Sequence, residues 1–221
     1  MSCFLIVVVF WVFSVCLHEY GHAAVAYRGG DHTVEEKGYL TMNPMYYTHP
    51  VTSFLLPMLF VVAGGIGLPG GAVYINRHLL RSRNWETAVS LAGPTMNLLL
   101  AIVVALALRL VLIPHYPAHV ITYAMAFVLE LQISAIFLNL LPIPPLDGYQ
   151  AIEPWLSHEW RQHILPMANY GMFILFILFY SVPQFNHAFW SCTWKVMSWM
   201  GVDPLYGDFG YELFQFWKRG A

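Results

Sequence analysis

The chain of 221 residues is strongly apolar: 58% of its residues are hydrophobic and only 10% are charged, whereas about 25% are charged in a typical soluble domain. This composition excludes a soluble globular protein, and the net charge of −2, without a basic cluster, gives no indication of nucleic-acid binding. Cys3, Cys16 and Cys192 are too few and too scattered for a disulfide framework or a thiolate metal site.

Long apolar runs dominate the chain, at residues 3–16, 51–68, 88–113, 120–141 and 164–182. A helical run of about 20 apolar residues matches the thickness of the hydrocarbon layer of a bilayer. A tryptophan-rich stretch at residues 186–201 suits an interfacial or returning helix. The pattern predicts an all-α polytopic membrane protein with about five to six membrane segments.

The first apolar run ends in an H-E-x-x-H motif made by His18, Glu19 and His22. The run lacks the basic beginning of a signal peptide, so we interpret it as a retained first helix. On a helix, residues i and i+4 share a face, so both imidazoles can point to one metal ion while Glu19 serves as general base. Charged groups in a bilayer cost about 2.5–3.5 kcal/mol each, and a shared zinc ion would explain this cluster.

The second apolar run, at residues 51–68, is less regular than the others. Pro57 and a series of glycines interrupt it, which favours a re-entrant hairpin or loop, with short β-strands near the site. A full crossing here would also bring the later Asp147 to the opposite membrane face. A plain transmembrane helix is the alternative, since the run is hydrophobic enough for one.

The fourth run ends in the sequence FLNLLPIPPLDGYQ, residues 137–150, where prolines break the helix and Asp147 follows. Such a break is tolerated at membrane depth only inside protein or beside a water-filled cavity. Because catalytic zinc usually has three protein ligands, Asp147 could complete a site with the two histidines. Taken alone, the stretch is equally compatible with an ordinary helix end. Glu130, in the middle of the same helix, has no evident role and is a rival third ligand.

Together these motifs resemble the site-2 protease family of intramembrane zinc metalloproteases. Members carry H-E-x-x-H on one transmembrane helix and N-x-x-P-x-x-x-L-D-G on a later one, which here are residues 18–22 and 139–148. Residues 92–97 are similar to the family's G-P-x-x-N motif on the helix between them. Three motifs in this order, all on membrane segments, are far more specific than any one alone.

The resemblance implies one Zn²⁺ per chain, bound by His18, His22 and Asp147, with Glu19 activating water. It also implies that Asn139 helps to hold the substrate or the developing oxyanion. For Asn97, a substrate-binding role is a weaker inference, because a hydrogen bond between packed helices would explain it equally well.

The chain resembles the compact form of the family, since it contains no PDZ-like insertion. We therefore expect a single integral-membrane protease domain over residues 1–221, with a catalytic core at 1–153 and C-terminal membrane helices and a tail at 154–221. His49 stands where compact relatives often have an acidic residue, and we interpret it as a loop histidine rather than an additional ligand.

The predicted function is zinc-dependent cleavage of transmembrane segments of membrane-protein substrates in the lipid bilayer, as in regulated intramembrane proteolysis. Arg28 and Lys37 follow the first helix, so the positive-inside rule places the active site toward the cytoplasm, and the compact core favours a prokaryotic inner membrane. A metal-ion transporter is one alternative, although it would repeat polar ligands at several depths. A non-catalytic membrane-binding relative is the other, and the intact Glu19 argues against it.

Overall fold

The computed structural model describes residues 1–46 and 73–220. Within these ranges the regular structure is helical and contains no β-strand. The predicted all-α class is therefore confirmed, whereas the short β-strands expected near the site are not found in this part of the chain. The run at residues 51–68, predicted to be re-entrant, and His49 lie outside the described residues.

The first apolar run and the H-E-x-x-H motif form one continuous helix, α1 (Ser2–Gly29). It ends at Gly30, whose φ of 118° lies in the left-handed region that glycine adopts without strain. A four-residue helix, α2 (Thr33–Glu36), follows directly. The motif therefore lies inside a long helix and is held by its regular geometry.

Two further long helices complete the central bundle. Helix α3 (Arg83–Ala107) continues through a π-helical turn at Leu108–Leu112 and a last turn at Ile113–His115, and helix α4 covers Val120–Asn139. Helices α1, α3 and α4 pack against one another, with apolar side chains between them. These include Val7 from α1, Leu100, Val104 and Leu108 from α3 and its π-helical turn, and Leu129 and Ile133 from α4.

Shorter helices follow the bundle. They are α5 (Asp147–Ile152), α6 (His158–Ile164), α7 (Gly171–Ser181), α8 (Pro183–Trp199) and α9 (Pro204–Phe214). Short 3₁₀ turns lie at Pro44–Tyr46, Arg77–Leu79, Glu153–Trp155, Leu165–Tyr170 and Phe216–Gly220. Helices α8 and α9 both pack on α4, whereas α5 packs on α3.

Three helices in the described residues are long and apolar enough to cross a membrane: Ser2–Gly29, Arg83–His115 and Val120–Asn139. A fourth crossing is added if His158–Ala168 and Phe173–Ser181, bent by 73°, form one broken span. The protein is therefore an integral membrane protein, but the predicted count of about five to six segments is not confirmed. The apolar run at residues 164–182 is interrupted by the 3₁₀ turn at Leu165–Tyr170, which contains Pro166.

Candidate metal centre

The two histidines of the motif lie one turn apart on the face of α1 that packs against α3. Both rings are buried, and the Nε2 atoms of His18 and His22 lie 3.0 Å apart. Gly21, between them, allows the close packing of the helices, because a Cβ there would lie 3.0 Å from the carbonyl oxygen of Ala92. The two ring nitrogens therefore converge on one point between the helices.

Asp147 reaches the same point from the beginning of α5. Its Oδ2 lies 3.2 Å from His18 Nε2, and its Oδ1 lies 3.5 Å from His22 Nε2. One ligand atom from each of the three residues lies within 4.8 Å of the others, and in the described ranges this is the one cluster able to hold a metal ion. The three side chains that the family resemblance implied as ligands therefore meet in space.

Two glycines make this convergence possible. A Cβ on Gly93 of α3 would collide with the Nε2 atoms of both His18 and His22, so the missing side chain leaves space on the side of the histidines where a metal would bind. A Cβ on Gly148 would collide with the carbonyl group of Leu140, so this glycine allows α5 to begin close to the end of α4. Both positions require a residue without a side chain.

The Nδ1 atoms of the two histidines differ in their hydrogen bonding. His22 Nδ1 lies 2.7 Å from the carbonyl oxygen of Val89 in α3. A proton on Nδ1 is donated in this bond, which leaves the lone pair of Nε2 directed toward Asp147, the usual arrangement of a metal-binding histidine. His18 Nδ1 is buried and has no hydrogen-bond partner among the described residues.

The electrostatics of the cluster keep the carboxylate charged. Burial raises the pKa of the Asp147 carboxyl, but His22 and His18, which carry a positive charge when protonated in the absence of metal, lower that pKa by more, so the net shift is downward. An ionised carboxylate is the form that binds a metal ion. Two imidazoles and one carboxylate together form the ligand set of many catalytic zinc sites.

Glu19 supplies a second carboxylate next to this cluster. It follows His18 directly on α1 and is only 5% exposed. Its Oε2 accepts a hydrogen bond of 3.1 Å from the backbone N–H of Val73. Glu19 is not one of the three residues that could share a metal ion, so it is available for another role.

The two asparagines singled out in the sequence are both buried. Asn139 is the last residue of α4, immediately before the turn that leads to Asp147. Asn97 lies one turn after Gly93 on α3, and its Oδ1 has no hydrogen-bond partner within the described residues. Among the residues that the structure describes, the interhelical hydrogen bond considered for Asn97 is therefore not made through this oxygen.

Glu130 belongs to a different part of the molecule. Its Oε1 accepts a hydrogen bond of 3.0 Å from the indole Nε1 of Trp194 in α8, and the carboxylate lies against Gly207 in α9. It thus connects α4 with two C-terminal helices and is not a member of the metal-binding cluster. The geometry does not support the alternative in which Glu130 replaces Asp147 as third ligand.

Sequence reasoning assigned no role to Gly93 or to Val89. Gly93 is part of the G-P-x-x-N motif, but a glycine has no side chain to indicate what it contacts. The contribution of Val89 comes from its backbone carbonyl, a group that every residue carries, so it leaves no signal in the sequence.

The fold and the site together define a class of protein. Inside a bundle of membrane helices lie two buried histidines and a carboxylate, with the glutamate of an H-E-x-x-H motif beside them. This combination is typical of metallopeptidases. The model of peptidase family M50 matches residues 4–120. Since the match covers more than half of the chain, the chain belongs to peptidase family M50. This confirms the resemblance seen in the sequence.

Several known proteins are similar to this chain over most of their length. The protein named "Putative zinc metalloprotease Rip2" from Mycolicibacterium smegmatis is 44% identical, over 97% of this chain and 82% of that protein. Its Mycobacterium tuberculosis counterpart is 43% identical over the same shares. "Putative zinc metalloprotease YwhC" from Bacillus subtilis is 30% identical over 81% of each chain. No solved structure matches the chain significantly.

Proposed function

We propose that the protein is a zinc-dependent intramembrane endopeptidase that cleaves transmembrane segments of other membrane proteins. The observation that carries the proposal is that Asp147, although distant in the sequence, lies against His18 and His22. Glu19 lies beside these three residues. Membership of a peptidase family and relatives named as zinc metalloproteases support both the reaction class and the metal.

The ligands of one Zn²⁺ per chain are His18, His22 and Asp147. The donor atoms fit the ion, because two imidazole nitrogens and a carboxylate oxygen leave one position open for substrate or water. The space in front of Gly93 also fits, since a side chain there would fill it. When bound, zinc polarises a peptide carbonyl and makes water acidic near neutral pH.

Glu19 moves the protons of the reaction. Its carboxylate accepts a proton from the attacking water and then delivers it to the amine nitrogen of the leaving segment. The hydrogen bond from the Val73 N–H to Oε2 orients the carboxylate for this task. Asn139, at the end of α4, would donate its amide hydrogens to the substrate carbonyl, and Asn97 is a weaker candidate for the same contact.

The substrate is a transmembrane helix of another membrane protein within the lipid bilayer. The ligands lie on or next to helices long enough to span that bilayer, which supports a site at membrane depth. Residues 1–221 would form one protease domain, with its catalytic core at 1–153. Arg28 and Lys37, just beyond α1, favour a site toward the cytoplasm of a prokaryotic inner membrane.

Two other functions fit the site less well. A metal-ion transporter would need ligand groups at several depths, and the described residues hold one such group. A non-catalytic family member would have no use for a glutamate placed beside the metal ligands. Neither alternative explains both His18–His22–Asp147 and Glu19.

The decisive experiment separates metal binding from catalysis. Glu19→Gln should lower the cleavage of a panel of tagged single-span membrane proteins in liposomes by about 10²–10⁴-fold, because the general base is lost. Mass spectrometry of the purified variant should still find about one zinc per chain, since the three ligands are intact. Glu36→Gln, at an exposed residue of α2, is the matched control and should cleave normally.

The converse variant tests the ligand set. Asp147→Ala should lose zinc as well as activity, because it removes one of three ligands. Full cleavage by Glu19→Gln would overturn the proposed mechanism. Zinc retained in full by Asp147→Ala would overturn the proposed site.

A further inference from the structure

The position of Asp147 depends on contacts outside its own helix. Helix α5 has only six residues, and a helix so short is not stable by itself. On the side facing α3, the hydroxyl of Thr87 donates a hydrogen bond of 2.7 Å to the carbonyl of Ala151, and the indole of Trp155 donates one of 2.9 Å to that hydroxyl. A second set of contacts to α5 is centred on Arg77.

The guanidinium of Arg77 bridges two residues at and after α5. Its Nη1 lies 2.6 Å from Glu153 Oε2, and its Nη2 lies 2.6 Å from Gln150 Oε1. The Nε2 of Gln150 in turn donates a hydrogen bond of 2.6 Å to the carbonyl of Pro145. Since Pro145 precedes Asp147 by two residues and Gln150 follows it by one turn, this chain of hydrogen bonds joins the backbone just before Asp147 to the helix just after it.

The same arginine belongs to the segment that contacts Glu19. Val73, whose N–H donates to Glu19, lies four residues before Arg77. Between them, the backbone N–H of Asn76 donates a hydrogen bond of 2.6 Å to Oδ2 of Asp31, which is fully buried just beyond the end of α1. The segment is therefore bonded to Glu19 in α1 and to Asp31 just after α1, and Arg77 extends from it to α5.

We propose that Arg77 is a positioning residue for the active site: its double hydrogen bond to Glu153 and Gln150 holds the helix that carries Asp147 at a set distance from the segment that orients Glu19. This inference rests on the proposed function, in which Asp147 binds zinc and Glu19 transfers protons. Arg77 acts through these neighbours and touches no reacting atom.

Geometry, rather than charge attraction, gives Arg77 this role. The side chains of Arg77 and Glu153 are 34% and 23% exposed, so solvent weakens their electrostatic attraction. The planar guanidinium, however, presents its N–H groups in a fixed fork that can meet two acceptors at once. A lysine ammonium would keep the charge but lose this fixed double contact.

The test compares zinc release from full-length wild type, Arg77→Lys, Arg77→Ala and the control Arg83→Ala in detergent with an excess of a chromogenic chelator. Loss of contacts that orient metal ligands typically weakens a site about 10–100-fold, so we expect zinc release to be faster by that factor in both Arg77 variants. Arg83 is exposed in the first turn of α3, and its variant should stay within about twofold of wild type.

A second readout is cleavage at saturating zinc. With the metal loaded, the Arg77 variants should show a lower kcat with an unchanged KM, because Glu19 and Asp147 are misaligned while substrate binding is intact. The exchange variant, Arg77→Glu with Glu153→Arg, restores the ion pair but not the bond to Gln150, so its zinc release should be slower than that of Arg77→Glu alone or Glu153→Arg alone.

The outcomes distinguish this inference from the proposed function. Zinc release and kcat equal to wild type in Arg77→Lys would overturn the positioning role, even if Arg77→Ala fails to fold as judged by circular dichroism. Zinc release that is faster in the exchange variant than in both Arg77→Glu and Glu153→Arg would overturn the positioning role as well. If the proposed function itself is wrong, wild type will bind no zinc or Glu19→Gln will remain active, whatever Arg77 does.

Discussion

The two halves of the metal centre are held in place by different kinds of interaction. His18 and His22 lie on a helix of 28 residues, and their spacing follows from the helical repeat and from close packing against α3. Asp147 lies on a helix of six residues that depends on side-chain hydrogen bonds from Thr87 and Arg77. The half formed by His18 and His22 is therefore preformed, whereas the half formed by Asp147 is dependent on partners outside its own helix. A bound metal ion would contact both halves.

The largest effect should come from filling the space beside the preformed half. Gly93→Ala places a methyl group against the Nε2 atoms of His18 and His22, so the bound zinc should fall from about one per chain to nearly none. Zinc content by mass spectrometry gives the measurement. Thr95→Ala, two residues further on the exposed side of α3, is the control and should keep its zinc. Full zinc binding by Gly93→Ala would show that the histidine half is adjustable.

Removing the metal should affect the two halves unequally. A ligand present at about 100 times its Kd stabilises the bound state by about 2.7 kcal/mol, which corresponds to about 100-fold slower opening of a segment that depends on it. After chelation, the amides of α5 should therefore exchange hydrogen for deuterium up to about 100-fold faster. The amides around His18 and His22 in α1 should change little. Equal acceleration in both helices would contradict the division into a preformed and a dependent half.

The smallest effect should come from weakening one anchor of the dependent half. Thr87→Val keeps the shape of the side chain but removes the hydrogen bond to the Ala151 carbonyl and the acceptor for Trp155. The indole of Trp155 is exposed and can donate to water instead, so the main cost is the lost bond to Ala151, about 1 kcal/mol, and zinc release should be about fivefold faster in the chelator assay.

The control for this variant is on the same helix. Thr95→Val removes a hydroxyl that donates only to the carbonyl of Leu91, one turn earlier in α3. Its zinc release should match wild type. An equal change in both valine variants would indicate a general effect on α3 rather than on the anchoring of α5.

Local sequence patterns were sufficient for part of the fold. The apolar runs at residues 88–113 and 120–141 correspond to long helices, because about 20 apolar residues in sequence need no other information to span a bilayer. The run at residues 164–182 was equally apolar but contains Pro166 and Gly171. The chain bends there by 73°, since proline and tertiary packing outweigh hydrophobicity. Gly171 also packs directly on the backbone of Pro144, a contact that no periodicity reveals.

Glu130 is a second case in which the sequence indicates a contact but not its partner. A carboxylate in the middle of a membrane helix signals a special contact, but the sequence cannot name the partner. The partner is Trp194, which is 64 residues away along the chain. The sequence therefore left two possible third ligands for the histidine pair, and the structure brings only Asp147 to them.

The sequence by itself determined the helical membrane architecture and the pairing of His18 with His22, because both depend on periodicities within one continuous helix. The tertiary structure decided which carboxylate completes the cluster and how Arg77 reaches the helix of Asp147. It also showed that position 93 needs a glycine, because a side chain there would collide with the two histidines. These features depend on distances between segments far apart in the chain, and such distances arise only when the helices pack.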